Sequence, residues 1–299
     1  MDERIIKLLK KGISKWELAK KLDLKPSELE SLIKELEEKG YVFSDDKKLR
    51  LEKERVIARD TYKKKVDGVW YRFGVISDTH YGSLWEDIRA VNYIYQIFKE
   101  KKIRDVYHCG DLVDGDKMRP GHEYELRVIG YEGQLEHIVK NYPRVDGITT
   151  YFILGDHDYS FIKNIGADIG KGIERYRDDM KYLGIYEADV IVNGVVIRLQ
   201  HPAGSKTAYA LSYKPQKYIE SLTGGEKPNI VLIGHYHKVE YLFYRNVHAI
   251  QAGCIQRQTR WMRGKNIAAM RGAWIVNLYI DKKRHEIVRI IPEFIPLYK

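Results

Sequence analysis

Runs of Val, Ile, Leu and aromatic residues recur at 70–77, 104–109, 149–154, 195–200 and 229–233, and each ends abruptly in a short polar segment. Short apolar runs bounded by glycine and charged residues read as buried strands. Between them, stretches at 86–100, 123–140 and 207–222 repeat apolar positions at helical spacing. Such alternation predicts an α/β domain. Strand-like segments at 239–252 and 273–291 predict a second sheet packed on the first.

The first 53 residues follow another pattern. Ile5, Ile6, Leu8 and Leu9 suit a first helix, and Ser14 with Glu17 forms a capping box opening a second through Trp16, Leu18, Ala19 and Leu22. Pro26 starts a third, in which Leu29, Leu32, Ile33 and Leu36 recur at helical spacing until Gly40. Residues 41–43 and 49–51, joined by a polar turn, predict a two-stranded wing. This order resembles winged-helix domains. The reading gives a winged-helix domain at 1–55, a polar, basic linker at 56–69 and a second domain at 70–299.

The segments that end the apolar runs carry the chemistry. They read Asp78-Thr79-His80, Gly110-Asp111-Leu112-Val113-Asp114, Gly155-Asp156-His157-Asp158, His201 before Pro202, and Gly234-His235-Tyr236-His237. Open α/β sheets place their sites at such strand ends. Asp and His together suit divalent ions such as Mn, Fe, Zn or Mg, and seven candidate ligands are too many for one ion. The pattern points to a two-metal centre.

Composition narrows the setting. No apolar run approaches the roughly 18 residues that span a bilayer, and the charged N-terminus is not signal-like. Two cysteines make no disulfide framework; Cys109 reads as a small core residue, and a cytoplasmic home with no membrane partner is expected. The net charge of +10 is unevenly placed: residues 1–60 carry 16 Lys and Arg against 14 Asp and Glu, residues 251–299 carry 10 against 3. A phosphate-bearing polymer, DNA or RNA, is the natural partner for that basic C-terminal part. The third helix of the small domain argues against operator reading, because Glu28, Glu30, Glu35, Glu37 and Glu38 outnumber Lys34 and Lys39. That domain is expected to guide substrate through Lys10, Lys11, Lys15, Lys20, Lys21, Lys47, Lys48 and Arg50, or to dock a protein partner.

The five segments, in this order, resemble the calcineurin-like metallophosphoesterase superfamily, with the match running from residue 70 to about 255. Residues 77–83, Ser-Asp-Thr-His-Tyr-Gly-Ser, are similar to its nuclease branch. The resemblance implies a two-sheet sandwich flanked by helices. It also implies that Asp78, His80 and His237 bind one ion, that Asp156, His201 and His235 bind the other, and that Asp111 bridges. Mn is the first choice, with Fe, Zn, Ni or Mg as others. Two ions about 3.5–4 Å apart share a bridging hydroxide for in-line attack on phosphorus and neutralise developing charge. By the same resemblance His157 contacts the phosphate or protonates the leaving oxygen. Asp158 is expected to orient His157, and Asp114 to support a metal-ligating histidine. His108, His122, His137, His248 and His285 lack motif support and are expected to be structural or solvated.

Asp156 departs from the family's Asn. An Asn amide can donate to substrate phosphate, whereas Asp keeps a ligand but adds negative charge beside an anionic substrate. Tighter binding of the second metal and slower turnover are expected. Beyond the metals, Arg257, Arg260, Trp261, Arg263, Lys265 and Arg271 are expected to contact nucleic acid, by phosphate pairing and base stacking. Tyr81, Trp85, Tyr159 and Phe161 are candidates to line a groove. The leading function is a dinuclear metal-dependent nuclease. Its rivals are a phosphatase or cyclic-nucleotide phosphodiesterase for small substrates, and a binding module with an impaired centre.

Overall fold

The structure, a computed structural model, describes residues 8–9, 12–38, 42–45, 49–53, 61–64, 70–204, 210–223, 225–281 and 284–298. The chain divides into two compact units, Met1–Ala58 with Leu222–Lys227 and Arg59–Ser221 with Pro228–Lys299.

In the smaller unit, Ser14 caps helix α1 (Lys15–Leu22), its hydroxyl accepting from the Glu17 backbone N–H in the expected capping box. Asp23 ends α1 in the left-handed region, and Pro26 opens α2 (Pro26–Glu38). Leu9, Ile13, Leu18, Leu29 and Leu36 close a small core. Strand β1 (Val42–Asp45) pairs antiparallel with β2 (Leu49–Lys53). Ile5, Ile6, Lys10, Lys11, Gly40, Tyr41, Lys47 and Lys48, named in the sequence reading, lie outside the described residues.

The larger unit is a two-sheet α/β sandwich flanked by helices. One sheet holds β4 (Trp70–Ile76), β5 (Asp105–His108), β6 (Thr149–Leu154), β7 (Met180–Ile185), β13 (Gly272–Asp281) and β14 (Glu286–Pro296), in the order β14-β13-β4-β5-β6-β7. The other holds β3 (Thr61–Lys64), β8 (Glu187–Val192), β9 (Val195–Gln200), β10 (Ile230–Ile233), β11 (Val239–Tyr244) and β12 (Val247–Ala252), in the order β11-β12-β10-β9-β8-β3. Alternate residues of each sheet, among them Phe73, Val75, Tyr107, Ile153, Val190, Ile197, Leu199 and Leu232, meet in a core between the two. The outer face of the first sheet is covered by α3 (Ile88–Glu100), α4 (Tyr131–Asn141), α5 (Asp156–Ile165) and α6 (Ile169–Tyr176), through residues such as Ile94, Phe98, Ile138, Phe161 and Ile173. Helix α7 (Tyr213–Ser221) covers the second through Ile219 against Val231 and Val247.

Three details depart from the sequence reading. Thr61–Lys64, placed in the linker, is an edge strand parallel to β8, and Lys64 pairs with buried Asp105. Its two outward side chains kept it from reading as apolar. The stretch 123–140 is helical only at His122–Glu125 and Tyr131–Asn141, broken at Gly130. Helices α5 and α6 and strands β7 and β8 go beyond the periodic stretches named above.

Arg198 is the largest fully buried side chain. It lies opposite Asp189 on β8 and grips that carboxylate with two N–H groups at 2.7 and 3.0 Å. Its remaining amino group donates to the Tyr218 hydroxyl on α7. Removing one partner of a buried pair leaves the other uncompensated, at about 3–5 kcal/mol. Arg198→Met is therefore expected to lower unfolding stability by that amount in urea titrations. The double variant Arg198→Met/Asp189→Leu should recover most of it, and equal losses in both would show that the pair is not what holds α7 to the sheet.

Candidate metal centre

The parallel strands β4, β5, β6, β9 and β10 all point their C-terminal ends to one place, and the five polar segments follow those ends directly. Backbone bonds stitch the turns together: Asp78 N–H to Gly110 O, Thr79 and His80 N–H to Asp111 O, and Gly234 N–H to Gln200 O. Space there is scarce. A Cβ on Gly155 would lie 2.2 Å from Asp111 Oδ1, and one on Gly110, itself at φ +95°, 2.4 Å from His201 Nδ1. Asp78, His80, Asp111, His235 and His237 themselves take positive φ between 47° and 71°, a conformation costly for residues with a Cβ and concentrated at functional sites.

Seven side chains converge in two adjoining sets. Asp78, His80 and His237 bring donor atoms within 4.8 Å of one another, as do Asp111, Asp156, His201 and His235. Asp111 joins the sets, its Oδ2 lying 3.7 Å from His80 Nε2 and 3.2 Å from His201 Nε2.

Nearly every donor is aimed by a bond on its far side. His80 Nδ1 donates to Asp114 Oδ1 at 2.9 Å, and His201 Nδ1 donates to the Cys109 carbonyl at 2.7 Å. His235 is reversed, donating from Nε2 to the Gly204 carbonyl at 2.8 Å and presenting Nδ1. Asp78 Oδ2 accepts from Ser77 Oγ and the His235 N–H, leaving Oδ1 toward His237 Nε2 at 3.0 Å. Asp111 Oδ1 accepts the His157 N–H.

In the neutral tautomers so fixed, imidazole lone pairs face carboxylate oxygens: His201 Nε2 lies 3.1 Å and His235 Nδ1 3.2 Å from Asp156 Oδ1. His80 Nε2 and Asp111 Oδ2 are buried without a hydrogen-bond partner. Only a positive charge between them relieves this. The donor set of carboxylate and imidazole fits divalent ions of the Mn, Fe or Zn kind.

The electrostatics agree. Burial disfavours the His80 imidazolium, but hydrogen bonds to Asp114 and Asp78 and the charge of Asp111 outweigh it and hold the group up to about 10. His201 is likewise raised, against its burial, by Asp111 and Asp156. Asp78 is driven well down, against burial, chiefly by His237.

Asp158 does not orient His157. Its carboxylate accepts backbone N–H groups from Leu112, Val113 and Gly155 at 2.9–3.1 Å, tying the turn after β5 to the N-terminus of α5. Burial and the charge of Asp111 push it up to about 7, opposed by those three bonds. Asp114 is what holds His157: its carbonyl takes the Nδ1 proton at 2.6 Å, with its carboxylate 3.6 Å away.

His122, expected to be structural or solvated, is buried beside this cluster, its Nε2 3.4 Å from Asp114 Oδ2. It opens the short helical turn His122–Glu125, and no sequence signal ties it to Asp114. His108 is a core residue against Thr79, lowered to about 3 by burial. Tyr81 and Phe161 are buried in the core and line no groove.

Of the basic residues after the last motif, Arg271 is committed to Asp87, donating at 2.6 Å while its Nε donates to the Ile255 carbonyl. Its guanidinium is not presented to a ligand. Arg257 also reaches Asp87, at 3.0 Å, but its side chain remains about half exposed. Arg260, Arg263 and Lys265 are exposed, and Trp261 is partly so.

The sequence profile of the calcineurin-like phosphoesterase superfamily domain matches residues 71–270, two thirds of the chain and all seven converging side chains. The chain belongs to that superfamily. Its members' chemistry, metal-dependent cleavage of phosphate esters, is therefore the chemistry of this fold. Solved structures similar to it include an archaeal phosphodiesterase (14% identity, covering 75% of this chain and 100% of the other, TM-score 0.41). A predicted phosphoesterase of Streptococcus pneumoniae TIGR4 (14%, 76% and 99%, 0.37) and the zinc complex of Vps29 from Entamoeba histolytica (11%, 76% and 99%, 0.39) are others. Comparison with curated proteins finds no match. Among the described residues no helix is long and apolar enough to cross a membrane.

Metal loading of this superfamily site must expel protons, because an imidazolium cannot ligate. Below the value of about 10 held by His80, apparent affinity is expected to rise about tenfold per pH unit for each proton displaced. Calorimetry with Mn2+ in buffers of differing ionisation enthalpy reads both the affinity and the proton count. Affinity independent of pH would rule out imidazole ligation.

Proposed function

We propose that the protein is a dinuclear metal-dependent phosphodiesterase whose substrate is a nucleic acid. One observation carries this reading: two donor sets share Asp111 next to His157, with the basic segment 256–271 at their rim. That segment holds five Arg and Lys and no acidic residue, and Gln256 at its start reaches Asp114 at 3.4 Å and Ser83 at 3.0 Å.

When bound, the two ions supply charge neutralisation at phosphorus and a water of lowered pKa. Mn2+ is the first choice on the mixed carboxylate and imidazole donors. Asp78, His80 and His237 would hold one ion, Asp156, His201 and His235 the other, and Asp111 both. His157 works on the substrate. Its Nδ1 is committed to Asp114, so Nε2 is the atom left to meet a phosphate or leaving oxygen. Burial lowers its proton affinity, against the pull of Asp111; an arriving phosphodiester anion restores the proton needed to protonate the leaving group.

The assay is the purified protein with Mn2+ on bis(p-nitrophenyl) phosphate, p-nitrophenyl phosphate, single- and double-stranded DNA, and RNA. Hydrolysis of both polymer and diester is expected, and hydrolysis of the monoester alone would overturn the reading. His157→Gln is expected to lower kcat about 10²–10⁴-fold with metal content unchanged by elemental analysis.

Asp156 favours a second reading, a nucleic-acid or protein-binding module with a weakened reaction. Its side chain is 30% exposed where the other carboxylates of the two sets are fully buried, so its charge faces the incoming anion. Asp156→Asn is expected to bind the second ion less tightly and turn over faster. A variant that is neither would remove the argument that Asp156 restrains catalysis.

The small N-terminal unit is proposed as a winged helix that docks a protein partner or guides substrate. Glu28, Glu30 and Glu35 on α2 support the first role over sequence reading.

A further inference from the structure

Three loops leave the metal centre and meet beside it. Residues 81–87 follow His80, residues 115–130 follow Asp114, and residues 255–265 begin where Ile255 and Gln256 donate to the Asp78 carbonyl. They are tied to one another: Leu84 N–H donates to Glu125 O, Arg257 N–H to Trp85 O, and Trp261 N–H to the Glu125 carboxylate.

What they present is mostly flat and cationic. The Arg119 guanidinium lies 4.8 Å from the centre of the Trp261 ring, held there by Glu125. The Arg263 guanidinium lies 5.7 Å from the Trp85 ring. Trp261 remains 36% exposed, Leu84 48% and Tyr124 81%. Below them Asp87 anchors Arg257 and Arg271, so the rim is braced from inside.

We propose that this rim is a platform for an unpaired nucleic-acid strand, with bases lying on the Trp261 and Tyr124 rings and phosphates paired to Arg263, Arg260 and Arg257. The inference rests on the phosphodiesterase reading and refines its substrate. A duplex hides its base faces in its own stack and needs only point charges along its backbone. Planar aromatic and guanidinium groups interleaved at this density serve a strand whose bases are free to stack. The cations of the platform match its charge: Arg119 is offset by Glu125, while Arg260, Arg263 and Lys265 have no acidic neighbour within the segment 256–271. The strand would thus enter the metal centre from its Trp261 side.

Fluorescence anisotropy of the full-length, Mn2+-loaded protein with a phosphorothioate oligothymidylate of about 12 nucleotides tests this; the linkage keeps the charge and resists hydrolysis. The single strand is expected to bind more tightly than a duplex of the same length and salt. Trp261→Ala should weaken the single strand at least about fivefold, weaken the duplex far less, and be largely rescued by Trp261→Phe. Arg263→Lys, which keeps charge and loses the plane, should weaken the single strand more than the duplex. Equal binding of both strands, or a Trp261→Ala variant that binds the single strand normally, overturns the platform. Diester turnover with no Trp261 dependence of binding removes the platform alone. Trp261-dependent binding without turnover of any diester keeps the platform and removes the phosphodiesterase.

Discussion

Everything in the larger unit is arranged around the burial of like-signed lone pairs. Asp78 and Asp111 are fully withdrawn from water, Asp156 is partly so, and four imidazoles share their space. Carboxylates in such a setting repel one another unless a cation stands between them. Among the described residues no Lys or Arg reaches either donor set. Protons fill the role on the histidines when nothing else does, which is why His80 and His201 hold theirs so firmly. Divalent ions fill it better.

Holding these groups together costs backbone conformation as well as electrostatic energy. Five of the seven converging residues lie in the left-handed region, at roughly 1–3 kcal/mol each by general experience with such strain. The offset lies elsewhere: two sheets packed face to face, helices sealing both outer faces, and parallel strands fully buried over most of their length. Asp158 links the two economies. Its carboxylate satisfies three N–H groups that the sharp turns leave without strand partners, so a residue that sequence logic assigns to catalysis is spent on the shape of the site.

This explains what the sequence made legible. The seven converging residues could be read because each follows an apolar run, and strand periodicity puts run ends on one edge of a sheet. The sandwich followed for the same reason. Roles that depend on contacts between distant segments were not legible. Asp158 meets backbone 45 and 46 residues away, and His122 approaches Asp114 from a single helical turn too short to show a period. Arg271 and Arg263 look equivalent in a string of basic residues, but Asp87, nearly two hundred residues upstream, claims only the first of them. Strand β3 hid in a polar stretch because an edge strand with two exposed faces of its pleat carries no apolar alternation.

Charge balance also orders the path of a substrate. With the two divalent ions of the proposed centre bound, three carboxylates would leave about one formal positive charge, less than an Asn at position 156 would leave. A centre so nearly neutralised has little long-range pull on a phosphodiester. The pull must come from the rim, where the uncompensated cations lie, and rim charges act mainly on the rate and orientation of encounter. The proposed function then divides the labour: the rim would capture an anionic chain, and the buried donors would act on the linkage laid across Asp156. A small ester, lacking flanking phosphates, gains nothing from that rim and meets the negative edge of Asp156 alone. On the proposed reading, the same carboxylate that is expected to slow the reaction would favour polymers over small esters, which is the physical reason for proposing a nucleic-acid substrate.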